Sequence, residues 1–225
     1  MKTKYPNVFV NPDVADVGMH RAVMAFDLDS VLNTMGRNLR GYIEKQYGMP
    51  PGGCTDVSAG WEKFHFAVPG IEDKEIGRLV NDFVMNESPS LLTTPYMREV
   101  MAYVHDRTNA PVTVVTARWH GAVGVTKRWL EEALGDIPFI AYIVNGLSFV
   151  DDRWKTCEGL ISKIPWPVMF RRPWNCRPVY LPVIKIDDLR DIIPLLNILT
   201  GEVPTAWPDD IPHPHIGEED YVYEV

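Results

Sequence analysis

Apolar residues follow two rhythms along this chain, and the change between them divides it. Val23, Met24, Ala25 and Phe26 form an unbroken apolar run, which predicts a strand covered on both faces. Helical spacing follows. Leu39, Tyr42, Ile43 and Tyr47 share one face, and Gly48-Met49-Pro50-Pro51-Gly52-Gly53 ends that helix abruptly. After an aromatic-rich stretch with Trp61, Phe64 and Phe66, a helix over Ile71 to Met85 aligns Ile76, Leu79, Val80 and Phe83. Another, from Pro95 to Arg107, aligns Tyr96, Val100, Tyr103 and Val104. Beyond residue 110 the pattern becomes short apolar runs separated by helices. Strands are expected at 111–116, 139–144, 147–150, 167–170 and 183–186, with helices at 122–134, 154–163 and 187–198.

Strands alternating with helices imply βαβ units. The expected class is therefore α/β, a Rossmann-like, mainly parallel sheet with helices on both faces. Residues 33–94 contain helices and loops but no convincing strand, so they read as a helical insertion after the first strand. The expected organisation is a core from 21–34 and 95–200, an insertion over 35–94, an arm over 1–20 and a tail over 201–225. Four prolines and seven acids after residue 201 suit a surface tail.

Composition narrows the function classes. Hydrophobic residues make up 46% and charged residues 23%, ordinary proportions for a globular protein. A net charge of −8 argues against sequence-independent grip on a nucleic-acid backbone, which needs clustered Lys and Arg. It leaves room for a small phosphorylated substrate in a locally positive pocket. Cys54, Cys157 and Cys176 are widely spaced and in no CxxC arrangement, so they read as reduced thiols. With no apolar stretch of membrane-spanning length, the expected setting is cytoplasmic, away from membranes. Oligomeric state stays open, a homodimer among the options.

Three strand ends carry the chemistry. Asp27 and Asp29 follow the first strand, Thr116 and Arg118 the second, and Asp151 and Asp152 a later one. In a parallel sheet these ends share one edge, where ligands bind. Carboxylates gathered there repel one another unless a cation relieves them, and all-oxygen ligation favours Mg²⁺. A hydroxyl and a guanidinium beside them suit phosphoryl oxygens. His213 and His215, in the acidic tail, read as solvated, and His65 and His105 carry no signal.

Phe26-Asp27-Leu28-Asp29-Ser30-Val31-Leu32, Lys127-Arg128-Trp129-Leu130-Glu131-Glu132-Ala133-Leu134-Gly135, Phe149-Val150-Asp151-Asp152-Arg153 and Trp166-Pro167-Val168-Met169-Phe170 stand in a familiar order. Over residues 21–199 the chain resembles the haloacid dehalogenase-like phosphatase superfamily and, within it, the 5′(3′)-deoxyribonucleotidases. The segment from Val68-Pro69-Gly70-Ile71 through Glu87-Ser88-Pro89 resembles that family's cap. Two positions depart from its pattern. Ser30 stands where the family has Gly, and no lysine occurs between Ala141 and Val150, so Lys127 or Arg118 must supply that charge.

The resemblance implies a Mg²⁺-dependent phosphomonoester hydrolase, a 5′-nucleotidase acting on deoxyribonucleoside monophosphates through an aspartyl-phosphate intermediate. Asp27 would be the nucleophile and Asp29 the acid and base. Asp27, the Asp29 carbonyl and Asp152 would hold the metal, with Asp151 anchoring them. Thr116, Ala117, Arg118, Lys127 and His120 would face the phosphate, and Trp61 and Phe83 the base. Two alternatives stand beside it. Thr116-Ala117-Arg118 and Val125-Thr126-Lys127-Arg128-Trp129 also resemble the polynucleotide 3′-phosphatases of phage-type kinases. The missing lysine also suits a catalytically weak scaffold acting as an interaction protein.

Overall fold

The computed structural model describes residues 8–10, 24–48, 70–143, 149–161, 167–172, 175 and 183–199. Six parallel strands form the centre: β2 (Ala25–Asp27), β3 (Val112–Thr116), β4 (Phe139–Ile143), β5 (Val150–Asp151), β6 (Val168–Phe170) and β7 (Ile184–Ile186). β1 (Val8–Val10) joins the β4 edge antiparallel, giving the order β1-β4-β3-β2-β5-β6-β7. The chain is α/β. β3 shows why these segments become strands: Val112-Thr113-Val114-Val115-Thr116 is β-branched throughout and buried throughout, as a two-sided strand requires.

Counted alone, the parallel strands run 3-2-1-4-5-6, the order of doubly wound sheets. The chain winds outward from β2 through β3 to β4, then returns to lay β5 against the other side of β2. The reversal of direction falls between β2 and β5. In sheets of this kind ligands bind outside the strand ends at that point.

Among the described residues, six helices accompany the strands: α1 (Met35–Tyr47), α2 (Asp73–Asn86), α3 (Met97–Thr108), α4 (Val123–Leu134), α5 (Trp154–Leu160) and α6 (Ile192–Leu199). α1 ends at Gly48, whose φ of 69° is the left-handed stop that glycine adopts without a Cβ penalty. A short 3₁₀ turn, Leu189–Asp191, leads into α6, with Asp188 and Asp191 exchanging side-chain bonds with the turn's backbone. The helical stretch between β2 and β3 starts and ends at one place. Asn33 bridges Thr93, Thr34 N–H donates to the Leu92 carbonyl at 3.0 Å, and Thr94 N–H donates to the Leu32 carbonyl at 2.9 Å. No helix among the described residues is long and apolar enough to cross a membrane.

Several expectations shift. The strand expected over Val23–Phe26 is β2, which extends through Asp27: pairing Asp27 with Val115 draws the acid into the ladder itself. Tyr96 is not part of the α3 stripe. It precedes the helix with φ 61°, is exposed and lies under the Arg190 guanidinium at 3.8 Å, while Met97, Val100, Met101 and Val104 fill the face. The segment expected as an arm over 1–20 adds β1 at Val8–Val10 to the sheet, and its other residues, the aromatic stretch with Trp61 and the tail lie outside the described residues.

Candidate active site at the strand reversal

The reversal places β2 beside β5, so the acids at their ends meet although more than a hundred residues separate them in sequence. Carboxylate oxygens of Asp27, Asp151 and Asp152 lie within 4.8 Å of one another, and all three residues are buried. Burial first, then the Asp151 and Asp152 carboxylates, push Asp27 well above the usual carboxylate range. Arg153 opposes them, and Asp29 adds a smaller upward push. Three buried, all-oxygen donors that destabilise one another's charge are a donor set suited to a hard divalent cation.

Asp27 gives a pH signature. Its pKa in the fold lies above the unfolded value, so the folded state binds more protons in the window between the two. Stability from this group therefore falls as pH rises through that window. In metal-free protein, Asp27→Asn is expected to melt with wild type at low pH and above it at neutral pH. Melting curves that keep a constant offset across the range would refute this.

Neighbouring groups hold the acids in place. Asp151 Oδ1 accepts the Arg153 backbone N–H at 2.7 Å, and Arg153 Nε lies 3.5 Å from the same oxygen. Asn175 is buried and spends both amide hydrogens on the carbonyls of Asp152 and Phe170, each at 2.8 Å. Its own Oδ1 accepts the Arg172 N–H at 2.9 Å. Below them sits the Cys157 thiol, 3.9 Å from the Asp151 carbonyl. Burial, then Asp151 and Asp152, raise its pKa well above normal, so it is an inert core thiol.

The turn after β2 is built around Ser30, whose φ of 68° lies in the left-handed region that glycine favours. Local bonds offset that cost. Ser30 N–H donates to Asn33 Oδ1 at 3.1 Å, and Ser30 Oγ accepts the Gly36 N–H at 3.1 Å. Its carbonyl accepts both Arg172 Nε and Nη2, at 3.0 and 2.7 Å. The Arg172 guanidinium also lies 3.9 Å over the Phe170 ring. Asp29, on this turn, meets Arg118 in a two-bond fork: Nε to Oδ2 at 2.9 Å and Nη2 to Oδ1 at 2.6 Å.

Of the residues named from sequence, the structure brings Asp27, Asp151 and Asp152 together and joins Asp29 to Arg118. Thr116 is buried at the end of β3, with its Oγ1 3.4 Å from the Arg118 N–H; Ala117 follows it in the loop. His120 is exposed at the start of a 3₁₀ turn. Lys127 is 45% exposed and pairs with Glu131 at 3.5 Å, one helical turn along α4. Phe83 is buried in the core, its ring edge-on to Tyr42 at 5.3 Å between α1 and α2. Among the described residues, the cation acting on Asp27 is Arg153, a residue given no role from sequence. Its position directly after two buried acids was the available signal. Neither family models nor curated proteins give a match to this chain.

Proposed function

We propose that the chain is a Mg²⁺-dependent phosphomonoester hydrolase of the haloacid dehalogenase-like type, acting on deoxyribonucleoside 5′-monophosphates. One observation carries the reading: Asp27 converges with Asp151 and Asp152 at the reversal point of a doubly wound sheet. Three mutually destabilising carboxylates are costly in a buried site unless the site uses their charge.

Asp27, Asp152 and the Asp29 carbonyl would hold Mg²⁺, which supplies charge neutralisation at the phosphoryl group. Asp151, tied to Arg153, anchors the set. An Asp27 carboxylate oxygen attacks phosphorus, the bond from phosphorus to the ester oxygen breaks, and Asp29 gives that oxygen its proton. Water then loses a proton to Asp29 and attacks phosphorus, the bond to Asp27 breaks, and phosphate leaves. The Thr116 hydroxyl and the Ala117 N–H serve as donors to a phosphoryl oxygen. Arg153 is the protein cation beside Asp27, which answers the missing lysine more directly than Lys127 does.

The helical stretch between β2 and β3, tied at its ends by the Asn33 and Thr93 bridge, acts as the cap. A cap and a net charge of −8 favour a small substrate over a polymer. Phosphate release with Mg²⁺ is expected to be fastest on deoxyribonucleoside 5′-monophosphates, compared with ribonucleotides, sugar phosphates and 3′-phosphorylated oligonucleotides. Preference for the oligonucleotide would move the assignment to a polynucleotide 3′-phosphatase. No release from any of them would overturn the reading.

A further inference from the structure

A guanidinium carries five N–H donors in a fixed fork, and at Arg118 protein atoms engage each of them. Nε and one Nη2 hydrogen go to the two Asp29 oxygens, at 2.9 and 2.6 Å, and the second Nη2 hydrogen faces Met35 Sδ at 3.9 Å. Nη1 reaches Ser88 Oγ at 3.4 Å and Thr126 Oγ1 at 3.2 Å. Arg118 is only 8% exposed. Its head thus joins the turn after β2, the start of α1, the segment after α2 and the middle of α4. Ser88 accepts this bond while donating its own hydrogen to the Val84 carbonyl at 2.5 Å, so both its roles are used. Asp29 Oδ1 also accepts Asn33 Nδ2 at 3.0 Å. A carboxylate offers roughly four lone-pair sites. These three bonds leave one on Oδ2, and the Asp29 side chain keeps 15% exposure.

We propose that Arg118 is a positioning residue that acts on the reaction through Asp29, not a phosphate clamp, and that Ser88 ties this carboxylate to the helical segment. The inference rests on the phosphatase reading and names how that site aims its acid. A carboxyl group fixed by three bonds leaves a single site on Oδ2, so the proton that site carries in the first step points in one direction, as delivery to a leaving oxygen needs.

The test is leaving-group dependence. A deoxynucleotide needs a proton on its departing oxygen, whereas p-nitrophenyl phosphate releases a stable phenolate without one. Arg118→Gln is expected to lower kcat on the nucleotide by roughly 10²-fold, the scale of a small misplacement, with KM close to wild type. On p-nitrophenyl phosphate the loss should be clearly smaller when both are read as kcat/KM, which ends at departure of the leaving group and so excludes the water step that Asp29 serves on either substrate, and Asp29→Asn should show the same imbalance. Adding Arg118→Gln to Asp29→Asn should cost little more. Arg118→Lys, a point charge without the fork, should recover only part. Ser88→Ala, a mild change that keeps the protein folded if Arg118→Gln does not, should lower nucleotide kcat several-fold at constant KM.

Equal losses on both substrates, a rise in KM alone, or full additivity with Asp29→Asn would overturn the inference and make Arg118 a substrate clamp. Melting of the same four proteins separates this from failure of the parent reading. Wild type that releases no phosphate, with Arg118 and Asp29 still coupled in stability, overturns the phosphatase reading and this inference with it. Active wild type without that coupling overturns the inference alone.

Discussion

Asp27→Asn is expected to lower phosphate release by at least about 10³-fold, a conservative figure beside the ~10⁶ lost when a covalent hydrolase loses its nucleophile. An amide fills the same volume between Asp151 and Asp152 but cannot attack phosphorus. Because it removes a buried charge, the metal-free variant should also melt above wild type at neutral pH. Loss of activity with a gain in stability separates a missing nucleophile from a damaged fold. The gain comes first from burial and then from Asp151 and Asp152, which press on Asp27 more than Asp29 does. Retention of more than about a tenth of wild-type kcat, a loss under ~1.4 kcal/mol of transition-state stabilisation, would overturn the covalent route.

Chelation is the second large effect. Removing divalent cations should abolish turnover and lower the melting temperature, and Mg²⁺ should restore both, since an ion that binds only the folded state stabilises it by mass action. The acidic pair should divide unequally. Asp151 already receives Arg153 through its Oδ1, which suits an outer partner, and removing such partners costs ~10–100-fold in metal affinity. Asp152→Asn should therefore weaken Mg²⁺ binding by more than about 10²-fold, and Asp151→Asn within the smaller range. Calorimetric titration reads both values. The reverse order would exchange the two roles, and turnover that survives chelation would remove the metal from the site.

The sheet and its acids were legible in the sequence for a physical reason: β-branched runs such as Val112–Thr116 carry their own strand preference, and a carboxylate directly after such a run can only sit at a strand end. Asp27, Asp29, Thr116, Asp151 and Asp152 were found that way. Charge pairing was less legible. Arg118 and Asp29 are 89 residues apart, and no spacing rule relates them. Lys127 and Arg118 are the cations the sequence offers, and Arg153 is not among them, because one sequence does not say which side chain turns inward. Helical periodicity has a similar limit. It showed Phe83 facing inward, but inward can mean core or ligand cavity, and Phe83 packs on Tyr42. Ser30 stands in the sequence simply as a residue in place of glycine. Its left-handed backbone depends on Asn33, Gly36 and Arg172, the last 142 residues away.

The place of β2 in the sheet has a consequence for how the protein is made. A ribosome delivers β2, β3 and β4 before it delivers β5, and the first three can already pair in their final order. Until β5 emerges, the strand that ends up central is an outer one, with one row of backbone donors and acceptors uncovered, the condition that invites pairing between separate chains. Asp27 lies on that strand. A carboxylate at its end keeps water near the uncovered row, so the acid that burdens the finished fold protects the growing one from sticking to its neighbours.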